Sequence, residues 1–274
     1  MHLQSKPKLF SILIALFIPS LWLLMTGSLV WRHSIAPSTS VALTRPTEYF
    51  EPIYGTFWYL IEQEEEIIGF SRQMVEENKT GTEILVEEET ALRINLADQE
   101  TILYYNLQSN LSTDYQLIKL AGQIQLGQLS FSLQSQILSG QIQLELTNQQ
   151  TDRTFEINYE QTPTASAALP LMLAASQLEP GQNYTYQNFD PLSQAPDSWL
   201  ITYQGNQMIN NQEKEQEVLV FNLHKGALSS ELFISPQGQL LMETTGNYVQ
   251  KLVEFEQALP VYQSLRKQLP NPYI

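Results

Sequence analysis

Apolar and polar residues alternate most regularly in the middle of the chain. Ile124 and Leu126, then Leu129, Phe131 and Leu133, then Ile142, Leu144 and Leu146 are interleaved with Gln and Ser. A period of two predicts half-buried strands of an antiparallel sheet, with one face packed and the other wet. Gln125, Gln128, Gln134 and Gln143 fall on the wet side, and Gly122, Gly127 and Gly140 are expected at turns or bulges between the runs.

The same signature recurs along the chain. Tyr54 to Ile61 and Ile67 to Val75 are aromatic and β-branched and flank the acidic stretch Glu62 to Glu66, which predicts a hairpin with a charged tip. Further strands are expected over 83–95, 100–106, 115–121, 152–159, 184–189, 199–203, 217–223, 230–234 and 240–244. His224-Lys-Gly226 and Pro236-Gln-Gly238 read as hairpin turns between the last three.

Two stretches break the pattern. Thr164 to Ser176 carries no charge and is rich in Ala, Leu and Met, which predicts a helix with Thr164 or Ser166 at its cap and Pro170 near its first turn. It is expected to cover the open face of the sheet, and its methionine among small residues suits a lid that repacks around a ligand. From Lys251 the chain carries Pro260, Pro270 and Pro272 and is expected to leave the domain as an extended tail. The predicted fold is therefore mainly β: one large curved antiparallel sheet, a half-barrel or open barrel, with one short covering helix.

Leu9 to Trp31 has no charged residue, and at ~1.5 Å of rise per residue it is long enough to cross a ~30 Å hydrocarbon core. Lys6 and Lys8 before it favour a cytoplasmic amino end. A cleaved signal is the alternative, with Ser34-Ile35-Ala36 or Ser40-Val41-Ala42 as cleavage site, but both lie several residues beyond the apolar run. The expected organisation is a cytoplasmic tail over 1–8, a transmembrane anchor over 9–31 and a Ser, Thr and Pro-rich linker over 32–53. An extracytoplasmic β-domain follows over 54–250 and a C-terminal tail over 251–274. This places the protein in the inner, cytoplasmic membrane with the bulk of the chain in the periplasm.

Composition narrows the chemistry. The net charge is −15, and Lys6, Lys8, Arg32 and Arg45 all precede the first acidic residue, so the exported part is more acidic still. A basic face for a phosphate backbone is lacking, which excludes nucleic acid as a partner. With no cysteine there is neither a thiol nucleophile nor a lipid-modified cysteine. His224 is the sole histidine of the β-domain over 54–250, too little for a zinc site or a Ser-His-Asp centre. Carboxylates remain. Glu64 to Glu66 and Glu87 to Glu89 are consecutive, however, and consecutive strand residues point to opposite faces. These runs are read as a solvated hairpin tip and a charged edge strand; no cofactor is implied.

Trp58-Tyr59, the acidic hairpin and Ile68-Gly69-Phe70-Ser71 resemble the opening hairpin of an extracytoplasmic β-domain of uncharacterised bacterial envelope proteins, sometimes fused to transglutaminase-like domains. Leu178-Glu-Pro-Gly181, Tyr184 to Pro191, Tyr203-Gln-Gly205 and Ile234 to Leu240 resemble its later turns and strands. That resemblance implies a curved half-barrel similar in outline to lipoprotein and lipopolysaccharide carriers, with a concave apolar face and no catalytic residues. The expected function is a membrane-anchored, non-catalytic periplasmic module that binds an apolar ligand or lipid-like group in envelope assembly or transport, with Phe131, Leu133, Leu144, Leu171, Met172 and Trp199 as ligand-facing residues. The alternatives are a non-catalytic accessory subunit of an inner-membrane protein complex and, third, a carboxylate-based cell-wall glycan hydrolase.

Overall fold

The computed structural model describes residues 41–43, 50, 52–96, 99–148, 151–159, 162–190, 195–211 and 214–269, which belong to one compact unit, Ser40–Ile274. The expected anchor over 9–31 lies outside the described residues. Among those described, no helix is long and apolar enough to cross a membrane.

Sixteen strands form one sheet built from two antiparallel meanders. The first contains β2 (Gly55–Gln63), β3 (Glu66–Glu77), β4 (Glu83–Leu96), β5 (Gln99–Ser112), β6 (Leu117–Leu126), β7 (Leu129–Leu138), β8 (Gln141–Thr147) and β9 (Asp152–Asn158). The second contains β11 (Asn183–Asp190), β12 (Ala195–Asn211), β13 (Lys214–Lys225), β14 (Leu228–Ile234), β15 (Leu240–Thr245) and β16 (Tyr248–Val253). β16 pairs with β2 and joins the two. β1 (Val41–Ala42) and β10 (Thr164–Ala165) both add in parallel to β11, at different points along its edge. The Leu117 N–H donates to the Pro163 carbonyl at 3.1 Å, so the chain around β10 connects the start of β6 to the β11 edge.

The alternation read from the sequence is the register observed. Ile124 pairs with Phe131, Leu133 with Leu146, and Ser135 with Leu144, and directly opposed residues share a face. Leu133, Ile142 and Leu144 are buried there, whereas Leu129, beside the β6–β7 turn, is exposed. Gly127 and Gly140 hold positive φ at turns, as expected. Gly122 does not. It sits inside β6, where a Cβ would lie 2.1 Å from the Asn106 carbonyl oxygen, so its role is close backbone approach rather than a turn.

The inner face forms the main core, drawing residues from Tyr59 and Val75 through Leu144 and round to Tyr186, Ile201 and Ile234. A 3-10 turn, Ser166–Ala168, and helix α1, Leu169–Ala175, pack into that core with Leu169, Leu171, Met172 and Leu173 buried. The helix thus covers the inner face, but it is shorter than expected and has no side-chain cap. Thr164 belongs to β10 and bonds to the Gln187 carbonyl, and the Ser166 hydroxyl accepts from Asn188. Pro170 stands in the first helical turn, where its missing N–H costs nothing.

The C-terminal stretch is not an extended tail. Lys251 to Val253 complete β16, and residues Phe255–Arg266 form a second helix, α2, packed on β2 and β3. A reciprocal capping box between Glu254 and Gln257 starts it. Pro260 lies inside the helix, and such a proline costs about 3 kcal/mol. Packing on the sheet offsets this: Tyr262 and the partly exposed Phe255 stack against Trp58 with ring centroids 5.4 and 5.1 Å away, Ala258 is buried, and Leu265 joins Phe70, Ala91 and Tyr104 in a core of its own. The sheet therefore has a helix on each face rather than one cover.

Candidate functional site

Between the inner face and the Ser166–Pro170 segment lies a cavity of about 200 Å³. Register determines its polar wall. Tyr59 pairs with Ser71, Ser71 with Thr90 and Thr90 with Tyr105, while Gln73 pairs with Glu88 one pleat along. Across the β16–β2 junction, Leu232 pairs with Glu243 and Glu243 with Gln250. Ser71, Glu88, Tyr59, Tyr105, Glu243 and Gln250 all line the space, facing Leu169, Pro170 and Trp199. The Gln73 amide donates to the Ala167 carbonyl at 3.1 Å and ties the 3-10 turn to this wall.

Two carboxyl groups face the cavity, and their partners among the described residues are all neutral or acidic. The Tyr105 hydroxyl donates to Glu88 at 2.7 Å, and the Thr245 hydroxyl to Glu243 at 3.2 Å. Burial raises the Glu88 pKa above the usual carboxylate value and the charge of Glu243 raises it further, against the lowering effect of its hydrogen bonds; burial raises Glu243 likewise. The Tyr59 hydroxyl is 1% exposed as a residue and has no hydrogen-bond partner; burial, then Glu88, pushes its ionisation well above the ordinary range. An unpaired buried hydroxyl costs on the order of 1–3 kcal/mol, which a bound polar group at this wall would recover.

The acidic run was expected on an edge strand. It sits instead on β4, which has neighbours on both sides. Alternation splits it as read: Glu88 faces the cavity, while Glu89 faces outward beneath α2, 3% exposed. There Arg72 lies 3.2 Å and Arg266 3.1 Å from its carboxylate oxygens, and Arg72 also pairs with Glu87. The Glu64-Glu65 tip is as expected, a two-residue turn with φ of 51° and 69°. His224 is exposed in β13, one residue short of its end. No group of three or more Asp, Glu or His that could hold a metal ion occurs among the described residues.

Of the six residues read from the sequence as ligand-facing, Trp199 lines the cavity. Leu133, Leu144, Leu171 and Met172 are buried in the surrounding core, and Phe131 is half-buried on the same face. The sequence reading missed the polar wall, Tyr59, Glu88, Tyr105 and Glu243. The available signal was Glu88 at inward parity on β4, in line with Ile84 and Val86.

No family model and no curated protein sequence matches the chain. Among solved structures, it is similar to the crystal structure of a beta-barrel-like protein of domain of unknown function DUF1849 from Brucella abortus. The likeness has a TM-score of 0.55 at 10% identity and covers 75% of this chain and 97% of that one. It lies in the fold alone, and it agrees with the β-domain that the short motifs resemble: one large, mainly β, barrel-like sheet.

Proposed function

We propose that this protein is a non-catalytic binding module that holds a small amphipathic, lipid-like molecule inside its sheet, presented on the extracytoplasmic side of the inner membrane by the Leu9 to Trp31 stretch. The observation that carries this reading is the cavity between sheet and α1, apolar along Leu169, Pro170 and Leu232 and polar at Tyr59, Glu88 and Glu243. Ligand sites commonly combine such walls. Catalysis by the two carboxyl groups is disfavoured because burial raises both in the same direction, whereas an acid and base pair needs environments that push the two apart.

The full-length chain, purified in detergent and extracted with organic solvent, should release a stoichiometric small amphiphile detectable by mass spectrometry. Ser71, 2% exposed and on the cavity wall, offers the control: Ser71→Trp should leave the chain folded and the extract empty. An empty extract from the wild type, with no binding of short alkyl compounds added back, would sink the reading. The cavity is below the roughly 300–1,000 Å³ of drug-sized sites, so a longer ligand needs the Ser166–Ala175 segment to move. Amide exchange over 166–175 should then be faster than over 129–146 and slow on ligand addition; equal protection throughout would mark α1 as fixed core.

A further inference from the structure

The binding reading leaves open what the polar end of the cavity recognises. Glu88 interacts with Tyr105, Thr90 and Glu243, and Glu243 with Ser230 and Thr245; none of these is a cation. Lys225, whose ammonium lies 5.4 Å over the Trp199 ring, is matched to Asp197 at 3.4 Å. Two half-buried carboxyl groups thus line one cavity without a counter-ion among the described residues, beside Tyr59, which is 1% exposed and whose hydroxyl has no partner among them. The contrast with Glu89, which has two arginines in reach, shows that the chain supplies cations to a buried carboxylate where it needs one for packing.

Resting on that binding reading, we infer that the cavity takes an organic cation, an alkylammonium group, with Glu88 and Glu243 as its counter-ions and Tyr59 and Tyr105 as its aromatic walls. An ammonium ion answers each unmet feature at once. Its charge replaces the missing cation, its N–H groups satisfy the carboxylates and the Tyr59 oxygen, and its face-on approach to aromatic rings contributes a cation–π attraction. A divalent metal fits less well. Calcium and magnesium take about six or more oxygen ligands, mostly from clustered carboxylates, and no group of three or more Asp, Glu or His that could hold a metal occurs among the described residues. The remaining carbons of the amine would lie along Leu169, Pro170 and Leu232, which line the other end of the same space.

The test uses three probes of equal length, n-butylammonium, n-butanol and n-butyrate, titrated against the full-length chain in detergent by saturation-transfer NMR. Butylammonium is expected to bind at least tenfold more tightly than butanol, and butyrate not at all. In Glu88→Gln and, separately, Glu243→Gln, butylammonium should weaken about tenfold while butanol binding stays unchanged, which also reports that the cavity is intact. If butanol or butyrate binds as well as butylammonium, or if neither glutamine variant alters the preference, the cation inference is overturned while the binding module stands. If none of the three binds to the wild type, both fall.

Discussion

Glu88 faces the cavity and Glu89 the underside of α2, one residue apart on β4. Glu89 is held by Arg72 and Arg266 and accepts from the Tyr104 hydroxyl at 3.4 Å. Glu88 receives the Tyr105 hydroxyl and faces a second carboxyl group. The outer carboxylate is part of how the C-terminal helix is fastened to the sheet; its cationic partners come from β3 and from the last turn of α2, and Tyr104 from β5. The inner one makes the folded protein less stable as it ionises. Among the described residues the chain places arginines against one glutamate and none against its neighbour, so the pleat of a single strand separates a packing role from the binding role proposed for Glu88.

The largest expected effect comes from removing the outer cations. Arg72→Ala combined with Arg266→Ala strands Glu89 under α2 and should cost about 3–5 kcal/mol in urea unfolding; a loss under about 1 kcal/mol would mean that Glu89 is not what fastens the helix. The inner pair should respond in the opposite sense. The folded state holds protons on Glu88 and Glu243 more tightly than the unfolded chain, whose carboxyl value is near 4.5. Their contribution is therefore present below that pH and lost as pH rises above it. Glu88→Gln, facing Tyr59, Tyr105 and Glu243, should gain melting temperature relative to wild type from pH 5 to pH 8, and a difference that does not change with pH would refute this. The smallest effect belongs to the uncovered outer face. Gln143→Ala should change stability by less than about 0.5 kcal/mol, and a larger loss would show that outward positions matter without α2 over them.

The strands were legible because alternation is local. Ile124 to Leu146 carries its own register, and nothing distant revises it. Burial of a given face is not local. Glu87 to Glu89 looks like a solvated run until β3, β5, α1 and α2 enclose it, and those elements come from up to 180 residues away: Tyr104 and Arg266, which meet at Glu89, are 162 apart. α2 was hidden by Pro260, since a proline at that position usually ends a helix, and its stripe of Phe255, Tyr262 and Leu265 has meaning only against Trp58 and Phe70. Gly122 was misread for a related reason, because the Asn106 carbonyl that forbids a side chain there belongs to another strand.

The junction between β16 and β2 governs how such a sheet can be assembled in time. Each meander grows by adjacent hairpins, but its two halves meet through residues such as Lys251 and Glu62, 189 positions apart and bonded at 2.8 Å. Loop closure over that span is slow relative to hairpin formation. As the chain emerges from its amino end, β2 presents an unpaired edge until the sixth strand of the second meander arrives, and unpaired edges invite intermolecular pairing. Refolding should therefore show early formation of β3 to β8 and a late, concentration-sensitive step that buries Trp58, when the last strand docks and α2 follows it.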